Sequence, residues 1–342
     1  MPAGLPRYIA RRLVLALFVL LAVVTFTFIV ARVVPSDPAE LYVGPKATAE
    51  QRARASVELG LDKPLYAQYF NYLSDLIRGN WGISLRAHTS VLGDILIYLP
   101  ATLEIIFLAN LIAVMVGIPL GVYSAVKKNS MLDQLGRLTA ISGVSIPSFW
   151  FALLLQLLFF GRLHILPLEG RLSTDVQLYY PLKTITGFYT LDSLLTLNLI
   201  AFVDALWHLI LPAIVLATYP IGLITRMTRS MMIEVLRENY IRFARANGIT
   251  ERIVIFKYAL KNAIIPTLTV LGLSFAYSIT GAVLVEIIFG WPGLGTYTLN
   301  AIIEGDYPAI LGVTIFGTIF YIVINLCLDI SQSYLDPRVR LT

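Results

Sequence analysis

The chain has 342 residues, of which 57% are hydrophobic and only 14% are charged, and its net charge is +5. This composition excludes a disordered chain and argues against soluble domains, which carry about a quarter charged residues. Cys327 is the only cysteine, so a disulfide-stapled secreted module is excluded and a membrane protein remains.

Six uncharged intervals are long enough to cross a bilayer core, which takes roughly 20 helical residues. The first follows Arg7, Arg11 and Arg12, but it is longer than a signal-peptide core and lacks a following cleavage site, which favours a retained anchor. The apolar stretch 193–203 is too short to cross and is interpreted as interfacial or folded over the outer surface. The predicted spans are 13–31, 105–126, 138–161, 205–225, 262–285 and 307–328.

The lysine and arginine residues predict the orientation. Most of the 26 basic residues lie in 1–12, 127–137, 226–261 and 329–342, which places these segments in the cytoplasm. Both termini are therefore expected to be cytoplasmic. The positive net charge is explained by basic residues in the cytoplasmic segments, so no nucleic-acid partner is expected.

The predicted organisation has four parts. An N-terminal anchor helix (1–34) is followed by an extracytoplasmic segment (35–97), a transmembrane core (98–335) and a cytoplasmic tail (336–342). The extracytoplasmic segment is interpreted as a small folded cap, with a simple connector as the alternative. Its evidence is an amphipathic helical run, formed by Leu65, Tyr69, Tyr72, Leu73 and Leu76.

The long inner segment 226–261, called the elbow below, predicts a helix, a glycine break and a second helix. Gly248 suits the left-handed position after a helix end, and Thr250 followed by Glu251 suits the start of the next helix. The elbow is either an inert hairpin or a knob that enters a groove on a cytoplasmic partner. Apolar residues at helical spacing predict two stripes, Met232, Leu236, Tyr240 and Phe243, then Ile253, Phe256, Leu260 and Ile264.

A second unusual segment, residues 289–295, reads FGWPGLG and is called the Trp291 loop. The apolar run 297–303 that follows is interpreted as re-entering the membrane. Non-helical backbone at that depth is tolerated only beside protein or a water-filled cavity, which favours a position beside a translocation path. An ordinary outer turn is the alternative. The glycine order excludes a dinucleotide-binding loop.

No catalytic constellation is found in the sequence, so an enzyme is not predicted. His88, His164 and His208 are scattered over different segments and are interpreted as structural or surface residues, and Cys327 as a packing residue. Glu104 and Asp329, at the ends of spans, are expected to reach the interface, although Glu104 has the alternative of pairing within the bundle. Gly117 and Gly121 predict a close helix approach.

The run 240–266, YIRFARANGITERIVIFKYALKNAIIP, resembles the cytoplasmic loop of ATP-binding-cassette importer permeases of the dipeptide and oligopeptide group. Two departures from the general family loop occur. Arg242, Phe243 and Ala244 replace Glu-Ala-Ala, as is usual in that group. Leu260–Lys261 replaces Leu-Pro. Outside the loop, the 172–203 stretch is longer than expected for the family. Further matches in order are 58–85, LPATLE (99–104), GVSIPSFW (143–150), HLILPA (208–213), TRSMMIEVL (228–236), FGWPGLG, DYPAILG (306–312) and LDPRVR (335–340).

The resemblance implies an all-α membrane protein with six transmembrane helices and the type I ABC importer permease fold, in a prokaryotic plasma or inner membrane. Its implied partners are a second homologous permease subunit, two cytoplasmic ATP-binding subunits and an extracytoplasmic substrate-binding protein. This chain is expected to hold no cofactor, with ATP and Mg²⁺ bound by the partner ATPase subunits. The implied ATPase-coupling residues are Arg245, Ala246, Asn247, Gly248, Ile249 and Thr250, and the hypothesised outer gate is formed by Gly290, Trp291, Pro292, Gly293 and Gly295.

Several alternatives stay open at this stage. The expected cargo is a dipeptide or oligopeptide, but the same architecture carries oligosaccharides, nickel or glutathione, and no substrate-binding residue is identified. An ATP-independent carrier or channel would show inverted repeats or ionisable residues at mid-membrane, and neither is found by inspection.

Overall fold

The computed structural model describes residues 5–33, 38–44, 47–58, 60–85 and 87–335, and the regular structure within these ranges is helical apart from one isolated bridge. The predicted tail 336–342, with most of the LDPRVR motif, lies outside them. The helices are α1 Leu5–Val33, α2 Pro38–Val43, α3 Ala49–Glu58, α4 Leu65–Ile77, α5 Val91–Val126, α6 Met131–Ser145, α7 Ser148–Gln156, α8 Thr174–Tyr179, α9 Tyr189–Leu195, α10 Leu199–Val235, α11 Asn239–Ala246, α12 Glu251–Ile253, α13 Leu260–Ile288, α14 Leu294–Glu304 and α15 Tyr307–Leu335, with π-helical turns at Leu157–Arg162 and Val254–Ala259.

Five helical segments in the described residues are long and apolar enough to cross a membrane, in agreement with five of the predicted spans. These are Ala10–Val30, Val91–Val126, Leu199–Val235, Glu251–Ile288 and Tyr307–Leu328. Lipid offers no partner for backbone N–H and C=O groups, so apolar sequence of this length is stable only when each group bonds within its own helix.

The predicted third span, 138–161, is not one continuous helix. The chain bends by 105° between α6 and α7, and only together does this pair give a sixth candidate span. The break falls at Ile146 and Pro147, which have extended ψ angles of 123° and 128°. Proline cannot donate a backbone hydrogen bond, and its ring disfavours helical geometry in the residue before it.

The chain folds as two compact units. The larger consists mainly of Pro100–Gly295 and the smaller mainly of Pro6–Leu99 and Thr296–Val323. In the smaller unit α1 packs on α4: the rings of Phe28 and Tyr69 are 5.2 Å apart, and the Tyr69 hydroxyl lies 2.7 Å from that of Thr25. The amphipathic run predicted for α4 is thus partly buried, although Leu65 at its start is exposed.

Glycines allow the helices of the larger unit to approach closely, as predicted for Gly117 and Gly121. A Cβ atom placed on Gly121 would lie 2.6 Å from the Cβ of Thr228 on α10. The same holds where α6 meets α10, because a Cβ on Gly143 would lie 2.5 Å from the Thr218 carbonyl oxygen and one on Gly222 would lie 2.9 Å from that of Ala140. Such contacts let the helix backbones pack closely. Close packing is important in lipid because the hydrophobic effect does not drive helices together there.

A buried ion pair ties the 162–204 segment to α5. Glu104 accepts a 2.6 Å hydrogen bond from Arg171 and further bonds from the backbone N–H (2.8 Å) and hydroxyl (2.6 Å) of Thr190. The guanidinium of Arg171 lies 3.5 Å above the Tyr189 ring. The prediction that Glu104 reaches the interface is therefore wrong, and its alternative of internal pairing holds. The side chain of Asp329 lies outside the described residues.

Asp192 organises the turn that precedes α9. Its carboxylate accepts backbone N–H bonds from Ile185 (3.0 Å), Thr186 (2.8 Å) and Gly187 (2.9 Å) and one from the Thr186 hydroxyl. Burial raises the pKa of Asp192, but these hydrogen bonds to the charged form outweigh it and hold the pKa below its usual range. The segment is thus a folded structure built around two buried carboxylates.

Replacing Arg171 by Met should destabilise the chain by about 3 to 5 kcal/mol, because Glu104 would be left buried without its positive partner. The measurement is the free energy of unfolding in detergent. Arg162→Met is the matched control, since Arg162 is exposed. Adding Glu104→Met should recover at least half of the loss. A single Arg171→Met variant as stable as the control would contradict this account of the segment.

Candidate functional site

The elbow turns at Gly248, as predicted. Gly248 has φ +74°, its N–H bonds to the Arg245 carbonyl (3.0 Å), and the Ile249 N–H bonds to the Ala244 carbonyl (3.2 Å). These two bonds form the Schellman motif that satisfies the last carbonyls of a helix, here α11. No atom of the described residues lies within 4 Å of a Cβ placed on Gly248, so the left-handed backbone angle alone favours glycine there.

An ion pair bridges the turn. Arg245 donates two hydrogen bonds to the Glu251 carboxylate, at 2.6 and 3.1 Å, and thereby joins α11 to α12. The hydrogen bond to Glu251 raises the pKa of the Arg245 guanidinium. Both side chains are about half exposed, so the pair contributes at most about 1 kcal/mol. Its effect is to fix the angle at which the turn projects.

The predicted apolar stripes form only part of the buried face of the elbow: Met232 is buried, and Leu236 and Leu260 pack against the same core. Helix α10 continues to Val235, the chain breaks before α11, and the π-helical turn at Val254–Ala259 shifts the register of the residues that follow. Tyr240, Phe243, Ile253 and Phe256 are exposed, which corrects the stripe prediction for these four residues. The core under the elbow contains Met232, Val235, Ile241, Ala244, Val254, Ile255, Ala259 and Ala263.

The predicted coupling residues lie together on the tip of the elbow. Arg245, Ala246, Asn247, Gly248 and Thr250 are exposed there, and Ile249 is half-buried. Sequence reasoning missed one prominent member of this surface: Phe243 is 72% exposed and lies one helical turn before Asn247, whose side chain bonds to its carbonyl (2.8 Å). An aromatic ring on a charged, projecting helix is a common anchor of protein interfaces.

The Trp291 loop is folded over a buried carboxylate that the sequence analysis missed. Glu286, at the end of α13, is fully buried and accepts bonds from the Thr102 hydroxyl (2.6 Å) and the Gly295 N–H (2.7 Å). The Thr102 oxygen in turn accepts the Leu294 N–H (2.8 Å). The only sequence signal was the position of Glu286 directly after a predicted span.

The predicted gate residues divide into a buried and an exposed set. The Trp291 ring is 1% exposed and donates to the Ala101 carbonyl (2.9 Å). Gly293 and Gly295 are also buried, since a Cβ on either would overlap the Glu286 carboxylate. Only Gly290, in the left-handed region with φ +53°, and Pro292 face outward. The loop therefore joins α5 to α13.

The elbow and the Trp291 loop lie at opposite ends of one helix. The elbow leads into the start of α13 at Leu260, and the loop follows its end at Ile288. A helix of 29 residues is about 43 Å long, which is enough to cross a bilayer. The predicted coupling residues thus lie together at one end of α13, and the predicted gate residues lie together at the other end.

The architecture is that of a membrane protein with several candidate spanning helices, and comparison with known sequences identifies its family. Residues 117–341 match the family described as binding-protein-dependent transport system inner membrane component, and residues 5–106 match the N-terminal part of such membrane components. The chain belongs to this family. It is 44% identical, over 94% of both chains, to the probable D,D-dipeptide transport system permease protein DdpB of Escherichia coli K12.

Two further relatives extend this similarity over the whole length. The di/tripeptide transport system permease protein DppB of Pseudomonas aeruginosa is 42% identical, with 97% of this chain and 98% of the relative covered. The oligopeptide transport system permease protein AppB of Bacillus subtilis is 35% identical, with 97% and 99% covered. The chain is thus a permease, a multi-pass inner membrane protein and not an enzyme.

Gly293→Ala should destabilise the Trp291 loop by about 1 to 3 kcal/mol, because the added methyl group has to displace the buried Glu286 carboxylate. Thermal unfolding and the fluorescence of the buried tryptophan report the change. Gly317→Ala is the control, since no atom lies within 4 Å of its Cβ position. Equal stability of the two variants would contradict the steric role assigned to Gly293.

Proposed function

We propose that this permease imports dipeptides or oligopeptides in an ATP-driven complex. The observation that carries the proposal is similarity over nearly the entire chain to permeases named for dipeptide, di/tripeptide and oligopeptide transport. The proposed complex contains a second homologous permease subunit, two ATP-binding subunits and an extracytoplasmic substrate-binding protein. ATP and Mg²⁺ bind to the ATPase subunits, and this chain holds no cofactor.

The proposed orientation places the elbow in the cytoplasm and the Trp291 loop on the outer side. Basic residues support this choice: the elbow carries Arg242, Arg245 and Arg252, whereas residues 286–306 contain no lysine or arginine. Both termini are then cytoplasmic, and the segment 35–97 is an extracytoplasmic cap.

The elbow is proposed to transmit the motion of an ATPase subunit to the transmembrane helices. Its tip is exposed, its angle is fixed by the Arg245–Glu251 pair and by the turn at Gly248, and its base is packed on α10 and on the residues that lead into α13. A knob with these properties moves as one body when a partner cleft closes. Binding of ATP by the closed ATPase pair would then favour one packing of the helices over another.

The Trp291 loop is proposed to act at the outer gate by joining helix ends. Trp291 and Leu294 bond to Ala101 and Thr102 of α5, and Gly295 bonds to Glu286 of α13. Displacement of α13 would therefore carry the adjoining part of α5 with it. In this proposal Gly290 and Pro292 face the outer mouth, whereas Trp291, Gly293 and Gly295 maintain the connection.

Phe243→Ala should weaken attachment of the ATPase subunits by about 2 kcal/mol, roughly thirtyfold in affinity, if Phe243 is an interface anchor. Co-purification of the ATPase subunits with the permease is the measurement, and Phe26→Ala is the control because Phe26 is equally exposed on α1. Retention of the ATPase subunits at wild-type affinity would contradict the assigned role of Phe243.

Gly248→Pro should abolish ATP-dependent uptake of a labelled dipeptide by proteoliposomes that contain the whole complex. Proline cannot adopt φ +74° and lacks the N–H that bonds to Arg245. Gly248→Asn, which tolerates the left-handed region, should retain most activity. Uptake without ATP would instead indicate a carrier, and uptake of an oligosaccharide, nickel or glutathione in place of peptide would overturn the proposed cargo alone.

A further inference from the structure

A cavity of about 340 Å³ lies at the break between α6 and α7, within the larger unit. Its walls come from both sides of the break and from the facing turns of α10 and α13. None of the residues that form these walls is charged, and several carry hydroxyl groups. The hydroxyl-bearing members are Ser148, Thr218, Tyr219, Ser274, Tyr277, Ser278 and Thr280.

The cavity lies near the middle of both long helices. It meets α10 at residues 215–220, and this helix runs from Leu199 to Val235. It meets α13 at residues 274–281, and this helix runs from Leu260 to Ile288. The cavity is therefore distant from both helix ends, at the depth where transporters commonly hold their cargo beside an interrupted helix.

Ser274 brings an unused hydrogen-bonding group to the cavity wall. This residue is 2% exposed, and its hydroxyl has no hydrogen-bond partner among the described residues. The neighbouring Ser278 donates to the Ser274 carbonyl (2.7 Å) and accepts from Asn110 (3.3 Å). The carbonyl oxygen of the Asn110 side chain is also unpartnered. A buried polar group without a partner costs free energy. A polar ligand that bonds to Ser274 would remove this cost.

The amino end of α7 provides a second polar feature of the cavity. Pro147 precedes this helix and supplies no side-chain cap, and Ser148, its first residue, lines the cavity. The first N–H groups of a helix have no partner within the helix, and the helix dipole favours an anion beside them. A carboxylate can therefore be held here without a basic side chain.

We propose that this cavity is a transient binding site for the peptide during transport, with its terminal carboxylate at the amino end of α7 and its amide groups on Ser274 and Thr218. The inference rests on the proposed peptide function. An uncharged wall that carries hydroxyl groups recognises the backbone that all short peptides share. It makes no charge pair with their side chains, so it suits a cargo that has to be released.

The first test compares uptake kinetics of dialanine by the whole reconstituted complex. Ser274→Ala and Thr218→Val should each raise KM by about fivefold, the effect of one lost hydrogen bond. Thr139→Val is the matched control for Thr218→Val: both hydroxyls bond to the carbonyl four residues earlier, at 2.9 and 3.0 Å, but Thr139 does not line the cavity. Ser274→Ala should leave thermal stability unchanged or raised, because it removes an unpartnered polar group.

The second test measures occupancy directly, in detergent and without the binding protein. Cys327 is the only cysteine, so Cys327→Ser gives a background in which Thr280→Cys reports from the cavity wall and Lys128→Cys reports from an exposed turn. Dialanine should slow thiol labelling of Thr280→Cys several-fold and leave Lys128→Cys unaffected. Dialanine amide, which lacks the carboxylate, should protect much less.

The outcomes separate this inference from the proposed function. Wild-type complexes that hydrolyse ATP but import no peptide would overturn both. Uptake by the wild type, with the same KM in Ser274→Ala, Thr218→Val and Thr139→Val, would overturn the cavity assignment and leave the importer intact. Equal protection by dialanine and its amide would overturn the role of the α7 amino end.

Discussion

The need to satisfy backbone hydrogen bonds wherever a helix stops governs this structure. Within a helix each N–H and C=O group is paired, but every helix end leaves groups that lipid cannot solvate. At the elbow the turn at Gly248 closes the last carbonyls of α11 through two bonds. At the Trp291 loop the Glu286 carboxylate and the Thr102 hydroxyl take the place of a continuing helix. At Pro147 no side chain caps the new helix, and a cavity lies there instead.

These three interruptions differ in chemistry. The elbow and the Trp291 loop are held by local bonds, and both rest on buried residues, so they move with the helices to which they are attached. The wall of the cavity at Pro147 mixes apolar and hydroxyl side chains, and one of these hydroxyls, that of Ser274, has no hydrogen-bond partner among the described residues. A site that is fully satisfied by protein has nothing left for a ligand, whereas an incompletely satisfied site has bonds to offer. This difference supports the proposal that the break at Pro147 binds cargo.

The sequence predicted features that depend on local signals. Five spans follow from apolar runs, and the left-handed turn follows from Gly248 and the Thr-Glu pair after it. Features that depend on contacts between distant residues could not be predicted from the sequence. Glu286 bonds to Thr102 across a separation of 184 residues, and Glu104 pairs with Arg171 across a separation of 67 residues. The stripe prediction was wrong for Tyr240 and Phe243 because the chain breaks between α10 and α11 without a distinctive sequence signal. The π-helical turn at Val254–Ala259 interrupts the second stripe at Phe256.

Helix α13 connects the elbow, the cavity and the Trp291 loop, and its surface explains how a displacement at one end can reach the other. Its buried face consists largely of small residues, including Ala263, Gly272, Ser274, Ala276, Ser278 and Ala282. Small side chains let this face approach its neighbours closely, and a Cβ on Gly272 would overlap the Leu328 side chain of α15. Both of its ends are fixed to folded segments. A push at the elbow is therefore expected to move the whole helix, change the shape of the cavity at its middle and shift the Glu286 connection to α5.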